Sequence, residues 1–278
     1  MKSKLEDLLN KRILNLAPVS GGCIAQSYRV SCEDGTQFFV KTHNQDSPRL
    51  FACEAHGLSE LAKAEAVLVP LPIGNSKDFL ILPFIETSSP KSGFWREFGI
   101  QLAHLHKYKA DEYGFYEDNF IGSTPQSNRP HKSWLDFFWQ ERLLVQLHLL
   151  EQNGLADNEI RQGMKRLESR LPQLLGEPEF PSLLHGDLWS GNFMCTAAND
   201  PVLIDPAVYY GDREADLAMT RLFGGFHGDF YSGYEEVFPL REGSEDRVDL
   251  YNLYHVLNHL NLFGSNYYGQ AVNLLGKL

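Results

Sequence analysis

Three polar residues in the second half of the chain have the types and the spacing that phosphoryl transfer requires. Asp187 is followed five positions later by Asn192, and Asp205 ends a short apolar run thirteen positions beyond Asn192. Kinase-like enzymes hold an acceptor hydroxyl and magnesium with an aspartate, an asparagine and a second aspartate in this order. Oxygen ligands such as Asn192 and Asp205 suit the hard Mg²⁺ ion, which leaves Asp187 to face the attacking hydroxyl. A single aspartate after a strand usually forms a turn or caps a helix, but three residues at these two spacings favour a catalytic set.

Two regions upstream could hold the phosphates of a nucleotide. Lys41 ends an apolar, strand-like run, and Glu54 follows thirteen residues later in a helix-like stretch. This matches a lysine that contacts the α and β phosphates and a helix carboxylate that holds the lysine. The turn Gly21-Gly22-Cys23 could present backbone N–H groups to phosphate, although adjacent glycines most often mean only a tight turn. Neither G-x-G-x-x-G nor the Walker A pattern occurs, which excludes Walker-type nucleotide binding.

The overall charge argues against a polyanionic partner. The 278 residues include 25 Lys and Arg against 36 Asp and Glu, for a net charge of −11. A surface of this sign repels phosphate backbones and anionic headgroups, so we expect neither nucleic acid nor membrane as a partner. The first residues mix charges of both signs and lack the apolar core of a secretory signal. The four cysteines show no metal-ligand spacing, which indicates reduced thiols and a cytoplasmic location.

The elements that must position Lys41 and Glu54 form a small sheet with helices. Turn residues at 33–35 predict a hairpin, with further short strands near 70–75 and 78–82. Helical spacing of apolar residues predicts one helix over residues 2–15 and another over 48–65. Ser47 and Pro48 would be the cap and the first residue of the second helix. We therefore expect a nucleotide-binding lobe over residues 1–85.

The part of the chain that carries Asp187 has a different pattern. A polar stretch with proline and glycine over residues 86–93 is the best candidate for a linker. Beyond it, the periodicity of apolar residues predicts helices at 94–107, 131–152, 157–171, 214–222 and 246–262, with strand-like segments between 182 and 205. This predicts a helical catalytic and substrate lobe over residues 86–278.

Two features near the catalytic set allow either a structural or a functional interpretation. Asp212 and Glu214 belong to a charged cluster that opens a predicted helix after Gly211. Acids in a first helical turn stabilise the helix by about 0.3–1 kcal/mol each through its dipole. Alternatively, they brace the active-site loop or meet a cationic amine of the substrate. Trp189, two positions after Asp187, could stack on a sugar face or simply pack the loop.

Three longer segments resemble the fructosamine kinase, or ketosamine 3-kinase, family, which is related to the aminoglycoside and choline kinases. They are HGDLWSGN at 185–192, IDPAVYYGDREADLAM at 204–219 and YHVLNHLNLFG at 254–264. The resemblance extends from about residue 20 to the end of the chain. It implies an α+β, bilobal protein-kinase-like fold with a small antiparallel-sheet N-lobe and a mainly helical C-lobe. It also implies ATP-dependent phosphorylation of the C3 hydroxyl of a ketosamine, either a fructosamine or a ribulosamine, free or protein-bound.

The resemblance further implies roles for single residues. Asp187 would be the catalytic base, Asn192 and Asp205 the Mg²⁺ ligands, and Lys41 and Glu54 the pair that positions the phosphates of ATP. The segment Pro83-Phe84-Ile85 falls where the adenine-binding hinge belongs. Because proline has no N–H, adenine would use the Pro83 carbonyl and the Ile85 N–H.

Two other functions remain open at this point. One is a kinase for another small hydroxyl compound, such as an aminoglycoside, choline or homoserine, since an acidic surface suits cationic acceptors of several kinds. The other is a catalytically inactive nucleotide-binding scaffold. A scaffold predicts loss of at least one of Lys41, Asp187, Asn192 and Asp205, and all four are present.

Overall fold

The computed structural model describes residues 1–19, 26–43 and 47–278. The N-terminal part contains helix α1 (Lys2–Leu9), helix α2 (Leu50–Ala62) and five strands: β1 (Ile13–Val19), β2 (Gln26–Cys32), β3 (Gln37–Thr42), β4 (Gly74–Asn75) and β5 (Phe79–Pro83). The strands form one antiparallel sheet in the order β1-β2-β3-β5-β4.

Strand register decides which face of this sheet Lys41 occupies. Successive side chains of a strand point to opposite faces, and directly paired residues share a face. Val40 pairs with Ile81, and both are buried against Leu5 of α1. Lys41 pairs with Leu80, which packs against Leu58 of α2 on the opposite face. The alternation therefore turns Lys41 toward α2, the helix that carries Glu54.

Two predicted boundaries in this part are wrong. The first helix ends at Leu9 and not at residue 15, because Asn10 takes a left-handed conformation with φ 49° and stops the helix. Residues 13–19 form β1 instead, an edge strand that pairs with β2. Helix α2 begins at Leu50 with Arg49 as its cap, two residues later than the Ser47-Pro48 signal predicted.

The rest of the chain is mainly helical, as predicted. Its helices are α3 (Phe94–His106), α4 (Trp134–Phe137), α5 (Leu144–Gln152), α6 (Asn158–Leu175), α7 (Glu214–Leu222), α8 (Gly228–Val237), α9 (Ser244–Phe263) and α10 (Tyr268–Lys277). A π-helical turn (Phe138–Leu143) joins α4 to α5, and a 3₁₀ turn (Gly264–Tyr267) joins α9 to α10. Among the described residues, no helix is both long and apolar enough to cross a bilayer.

Three short strand pairs lie between the helices. They are β6 (Asn119–Ile121) with β7 (Thr124–Gln126), β8 (Ser182–Leu184) with β11 (Tyr209–Gly211), and β9 (Phe193–Cys195) with β10 (Pro201–Leu203). The sequence interpretation missed the β6–β7 hairpin and also α8 and α10, which are short. One large cluster of buried side chains fills this part, whereas two smaller clusters line the N-terminal sheet. The division into lobes at residues 1–85 and 86–278 stays a prediction.

Helices α3 and α8 cross so closely that each needs a glycine at the crossing. A Cβ on Gly99 would lie 1.9 Å from the carbonyl oxygen of Phe230, and one on Gly233 would lie 2.2 Å from that of Arg96. Both separations are far below van der Waals contact with backbone atoms, which cannot rotate away. The crossing matters to the site because His106, at the end of α3, contacts Asp216, which in turn binds the backbone of His185 and Gly186 just before Asp187.

Three histidines are almost fully buried in the helical part. His106 and His185 are both 0% exposed, and His255 is 3% exposed. Burial lowers the pKa of each ring, in the case of His255 to about 3. The folded protein therefore holds these rings neutral at pH values where an unfolded chain would protonate them.

We expect Gly99→Ala to lower the free energy of unfolding by about 1–3 kcal/mol or more, because the added methyl group forces α3 and α8 apart. Denaturant unfolding followed by circular dichroism measures this. Gly269→Ala in α10 is the matched control, since a Cβ at that position would meet nothing within 4 Å and alanine favours a helix. Equal effects of the two substitutions would contradict the close crossing.

We expect the stability of the protein to fall as the pH drops below about 6.5, the ordinary pKa of histidine. In that range the histidines of the unfolded chain bind protons, whereas the buried rings of the folded protein stay neutral. Each such ring therefore lowers the free energy of unfolding by up to about 1.4 kcal/mol for each unit that the pH falls. Unfolding midpoints measured between pH 7.5 and pH 5 test this. His255→Leu should flatten the slope, whereas the exposed His104→Leu should leave it unchanged.

Candidate active site

The loop between β8 and β9 brings Asp187 and Asn192 together. The side-chain amide of Asn192 donates to the backbone carbonyl of Asp187 at 2.8 Å and to its Oδ2 at 3.0 Å. A tight turn makes this possible, since the Asn192 N–H donates to the Trp189 carbonyl at 2.9 Å. The spacing of five residues is thus the length of one loop that folds back on its first residue.

Backbone hydrogen bonds hold the segment around Asp205 beside this loop. The Ile204 N–H donates to the Asn192 carbonyl at 3.0 Å, and the Ala207 N–H donates to the His185 carbonyl at 2.8 Å. Gly186 lies between, with φ 82°, and a Cβ there would come within 2.0 Å of the Ala207 carbonyl oxygen. Asp205 itself has a positive φ of 56°, which aspartate tolerates better than most residues. The two acidic motifs therefore lie side by side.

Lys41 joins the N-terminal sheet to this arrangement. Its Nζ donates to Glu54 Oε1 at 2.6 Å and also to Asp205 Oδ1. The side chains of Lys41 and Glu54 are only 8% and 15% exposed, so water screens the pair weakly. Burial acts to lower the pKa of Lys41, but the negative charges of Glu54 and Asp205 outweigh it and raise that pKa above its ordinary value. Lys41 is a permanent cation between two carboxylates.

Contacts along α2 fix the helix that carries Glu54. Glu60, further along the same helix, accepts a hydrogen bond from the Tyr210 hydroxyl at 2.8 Å, and both residues are buried. Nearer the start of the helix, Arg49 and His56 both pair with Glu117, which precedes the β6–β7 hairpin. The helix is thus tied to the C-terminal part at both ends, which keeps Glu54 within reach of Lys41.

Asp216 of α7 holds the catalytic loop, the segment between β8 and β9 that carries Asp187. Its two carboxylate oxygens accept the backbone N–H groups of His185 and Gly186 at 2.7 and 2.8 Å. One of them also contacts His106 Nε2 at 3.2 Å, and His106 Nδ1 contacts the Tyr234 hydroxyl at 2.8 Å. Burial alone would raise the pKa of Asp216, but its hydrogen bonds, above all that of His106, lower it. Asp216 therefore remains an anion that fixes the backbone just before Asp187.

Asp212 and Glu214 do not lie where a substrate could contact them, so the interpretation as substrate-binding residues needs correction. Asp212 is 0% exposed and accepts hydrogen bonds from Arg241 and the Tyr251 hydroxyl. Glu214 is also buried and pairs with Arg241 and Arg247. Asp212 precedes α7 and also accepts the Glu214 N–H at 3.0 Å, and the member of the cluster that braces the loop is Asp216.

The environment of Asp187 changes its acidity. Burial raises the pKa of Asp187 to about 7, and the nearby negative charges of Asp205 and Asp216 act in the same direction. The hydrogen bond from Asn192 opposes them without cancelling them. A carboxylate with a pKa near neutrality can take up a proton more readily than an ordinary exposed aspartate.

The donor atoms beside Asp187 suit magnesium. Because Asn192 uses its Nδ2 to bond Asp187, its Oδ1 is the atom that a metal would take, and Asp205 adds a carboxylate that is 33% exposed. Mg²⁺ prefers oxygen ligands and usually keeps positions for water and phosphate. Among the described residues, no cluster of three or more His, Cys, Asp or Glu could hold a metal by itself. A two-ligand site completed by phosphate oxygens is compatible with both observations.

The remaining predicted residues fall into three groups. Gly21, Gly22 and Cys23 lie outside the described residues. Pro83 ends β5 beside β3, and the Phe84 N–H donates to the Gln37 carbonyl at 3.3 Å. Phe84 therefore has no N–H to offer adenine, and the Pro83 carbonyl and the Ile85 N–H stay the candidate hinge groups. Trp189 is half-buried and meets Phe223 edge to face, with ring centroids 6.0 Å apart.

Sequence reasoning did not single out Asp216 and His106 as the residues that hold the loop, and it missed the Glu60–Tyr210 pair. Asp216 was visible as a member of the charged cluster at 212–216, but the phase of α7 relative to the loop decides which member turns toward it. His106 lies 110 positions from Asp216 and Glu60 lies 150 positions from Tyr210, so no local pattern connects them.

Comparisons with known proteins agree with this geometry. A "Probable ketoamine kinase" of Vibrio parahaemolyticus is 42% identical over 280 residues, covering 98% of this chain and 94% of the relative. The "Protein-ribulosamine 3-kinase, chloroplastic" of Oryza sativa subsp. japonica is 42% identical over 274 residues, covering 95% of this chain and 78% of the relative.

Solved structures share the fold of this chain. A crystal structure from Thermobifida fusca, provisionally assigned as a fructosamine-3-kinase, superposes with a TM-score of 0.92 at 32% identity and covers 100% of this chain and 97% of that one. A choline kinase from Streptococcus pneumoniae shares the fold, with a TM-score of 0.68 at 18% identity over 100% of this chain and 98% of that one. These likenesses confirm the predicted protein-kinase-like fold. The model of the "Fructosamine kinase" family matches residues 2–278, and the chain belongs to that family.

Proposed function

We propose that this protein transfers the γ-phosphoryl group of ATP to the C3 hydroxyl of a ketosamine, free or attached to a protein. The observation that carries the proposal is the Lys41 ammonium held between Glu54 and Asp205, directly beside the Asp187–Asn192 loop. Membership of the fructosamine kinase family and relatives named ketoamine kinase and ribulosamine 3-kinase support this acceptor class.

In this proposal Asp187 acts on the acceptor. Its carboxylate orients the C3 hydroxyl and takes its proton, while the hydroxyl oxygen forms a bond to the γ-phosphorus and the bond from that phosphorus to the β–γ bridging oxygen breaks to release ADP. Phosphoryl transfer has a largely dissociative transition state, so alignment and charge neutralisation contribute most of the catalysis. The raised pKa of Asp187, about 7, supports its role as a base near neutral pH.

The other residues of the set hold the nucleotide. Lys41 would contact the α and β phosphates, and Glu54 would keep the ammonium in position. Asn192 and Asp205 would hold Mg²⁺, which when bound neutralises charge on the phosphate oxygens. The Pro83 carbonyl and the Ile85 N–H would pair with adenine, and Gly21, Gly22 and Cys23 stay candidates for a phosphate-binding turn.

The product has a chemical consequence for glycated amines. A phosphate on C3 lies next to the C2 carbonyl, so enolisation toward C1 can expel inorganic phosphate and leave an imine at C1. Water then hydrolyses this imine, which frees the amine and leaves the sugar fragment with a C1 carbonyl. The reaction would therefore undo glycation.

Three free cysteines, Cys32, Cys53 and Cys195, are buried, and burial raises the pKa of the Cys53 thiol to about 11. Such unreactive thiols support a cytoplasmic location.

A defined assay distinguishes this function from its alternatives. The purified protein is incubated with Mg-ATP and a synthetic fructosamine or ribulosamine, and mass spectrometry detects the gain of one phosphoryl group. A parallel panel of aminoglycoside, choline and homoserine covers the other small acceptors. Turnover only with a panel compound would replace the ketosamine, and tight Mg-ATP binding without transfer to any acceptor would favour a scaffold.

We expect Asp187→Asn to lower kcat for the ketosamine by about 10²–10⁴-fold, the usual contribution of a general base. The asparagine keeps the size of the side chain, so KM for ATP should change little. Asp7→Asn, on the exposed face of α1, is the control and should keep wild-type turnover. Wild-type kcat in Asp187→Asn would remove Asp187 from the mechanism.

We expect Lys41→Met to reduce kcat/KM by about 100-fold or more, because Glu54 and Asp205 then lack the cation that they share. Lys4→Met provides a matched control, since Lys4 forms an ion pair with Asp78 that is exposed to water and contributes little to stability. Steady-state kinetics with varied ATP measure both. A loss of the same size in the two variants would point to a general charge effect and against a specific phosphate contact.

A further inference from the structure

Five aromatic rings form a continuous surface that begins at the catalytic loop. We call this surface the aromatic wall: Trp189, Phe223, His259, Phe263 and Tyr267. Trp189 meets Phe223 at the end of α7, with centroids 6.0 Å apart, and Phe223 meets His259 of α9 at 5.3 Å. His259 then stacks on Phe263 at 5.5 Å and on Tyr267 at 5.0 Å. The wall thus runs outward from a point two residues after Asp187.

The wall is open to solvent in a way that ordinary core packing is not. Phe223 is 43% exposed and Phe263 is 48% exposed, although most large apolar side chains of the described residues are buried. Both rings contact the same histidine, so they form one patch and are not scattered surface residues. A contiguous exposed aromatic patch beside a catalytic loop is typical of a binding surface.

His259 gives the wall one oriented polar group. Its Nδ1 lies 2.8 Å from the His255 carbonyl, which can only accept, so Nδ1 carries the proton and Nε2 is left as an acceptor. Burial lowers the pKa of His259, which keeps the ring neutral at physiological pH. The wall therefore combines apolar faces with a hydrogen-bond acceptor and adds no positive charge of its own.

We infer that the aromatic wall receives the acceptor, with the sugar against Trp189 and the amine-bearing remainder along Phe223 and Phe263. This inference rests on the proposed function. The C–H faces of a sugar pack well on aromatic rings, while its hydroxyls need a group such as His259 Nε2. The secondary ammonium of a ketosamine is attracted to aromatic faces and would be repelled by a protonated histidine. The exposed outer end leaves room for the side chain or peptide to which the amine belongs.

A second interpretation of the same rings is simple packing of α9 and α10 against the catalytic loop. The two interpretations differ in what a truncation changes. Loss of packing lowers stability and affects both substrates, whereas loss of a binding surface raises KM for the acceptor alone and leaves KM for ATP unchanged.

The test uses two truncations at the exposed positions, Phe223→Ala and Phe263→Ala, in steady-state assays with a fructosyl-lysine peptide. We expect KM for the peptide to rise about 5–30-fold in each, with KM for ATP within twofold of wild type and an unchanged melting temperature for Phe263→Ala. Trp189→Ala should raise the same constant, and Trp189→Phe should restore part of the loss. The matched control is Leu71→Ala, another exposed apolar side chain, which lies outside the aromatic wall and should keep wild-type constants.

The other possible results separate failure of this inference from failure of the proposed function. If the wild-type protein phosphorylates the ketosamine and both phenylalanine variants keep its KM, the wall is not the acceptor surface and the proposed function stands. If KM for ATP rises instead, the wall serves the nucleotide and the inference is overturned. If the wild-type protein phosphorylates no ketosamine, the proposed function fails, and the inference that rests on it fails with it.

Discussion

The buried ammonium of Lys41 is the interaction on which the site depends. One cation, held on a central strand of the N-terminal sheet, neutralises a carboxylate of α2 and a carboxylate from the other part of the chain 164 positions away. Removing a charge from water is costly, and only close opposite charges in good geometry offset that cost. The pairing of Lys41 with both Glu54 and Asp205 therefore offsets the cost of burying these charges. A nucleotide phosphate and a metal would enter an electrostatic arrangement that already exists in the folded chain.

Such an arrangement requires rigid supports on both sides. On the nucleotide side, α2 is tied to the C-terminal part through Glu60 and Tyr210, and through Arg49 and His56, which meet Glu117. On the acceptor side, Asp216 binds the backbone before Asp187 and is itself held by His106. The acidic members of the charged cluster at 212–216 therefore have different roles. Asp212, just before α7, and Glu214, its first residue, form buried ion pairs, and Asp216, two residues into the helix, orients the loop that carries Asp187.

The distribution of charge also separates two regions of the molecule. The protein as a whole is acidic, with a net charge of −11, yet the proposed phosphate site includes Lys41, a permanent cation. The surface proposed for the acceptor consists of neutral aromatic rings. An acidic exterior favours the approach of a cationic ketosamine, and the local cation then retains the polyanionic nucleotide. Long-range attraction by the acidic exterior would therefore act on the ketosamine, whereas short-range binding by Lys41 would act on the nucleotide.

The sequence by itself determined the fold class and indicated the residues of the proposed catalytic set, because both depend on local patterns. The five-position spacing from Asp187 to Asn192, the strand that carries Lys41 and the helical periodicity of the later part can be predicted from neighbouring residues. Only the tertiary structure decided which acids face the site. Asp212 and Asp216 are the same residue type four positions apart, yet Asp212, just before α7, pairs with Arg241, whereas Asp216, within α7, accepts the backbone N–H of His185. The aromatic wall is assembled in the same way from the catalytic loop, α7, α9 and the 3₁₀ turn after it, so no single segment could have shown it. Contacts between distant segments arise from packing, and packing leaves no periodic signal in one sequence.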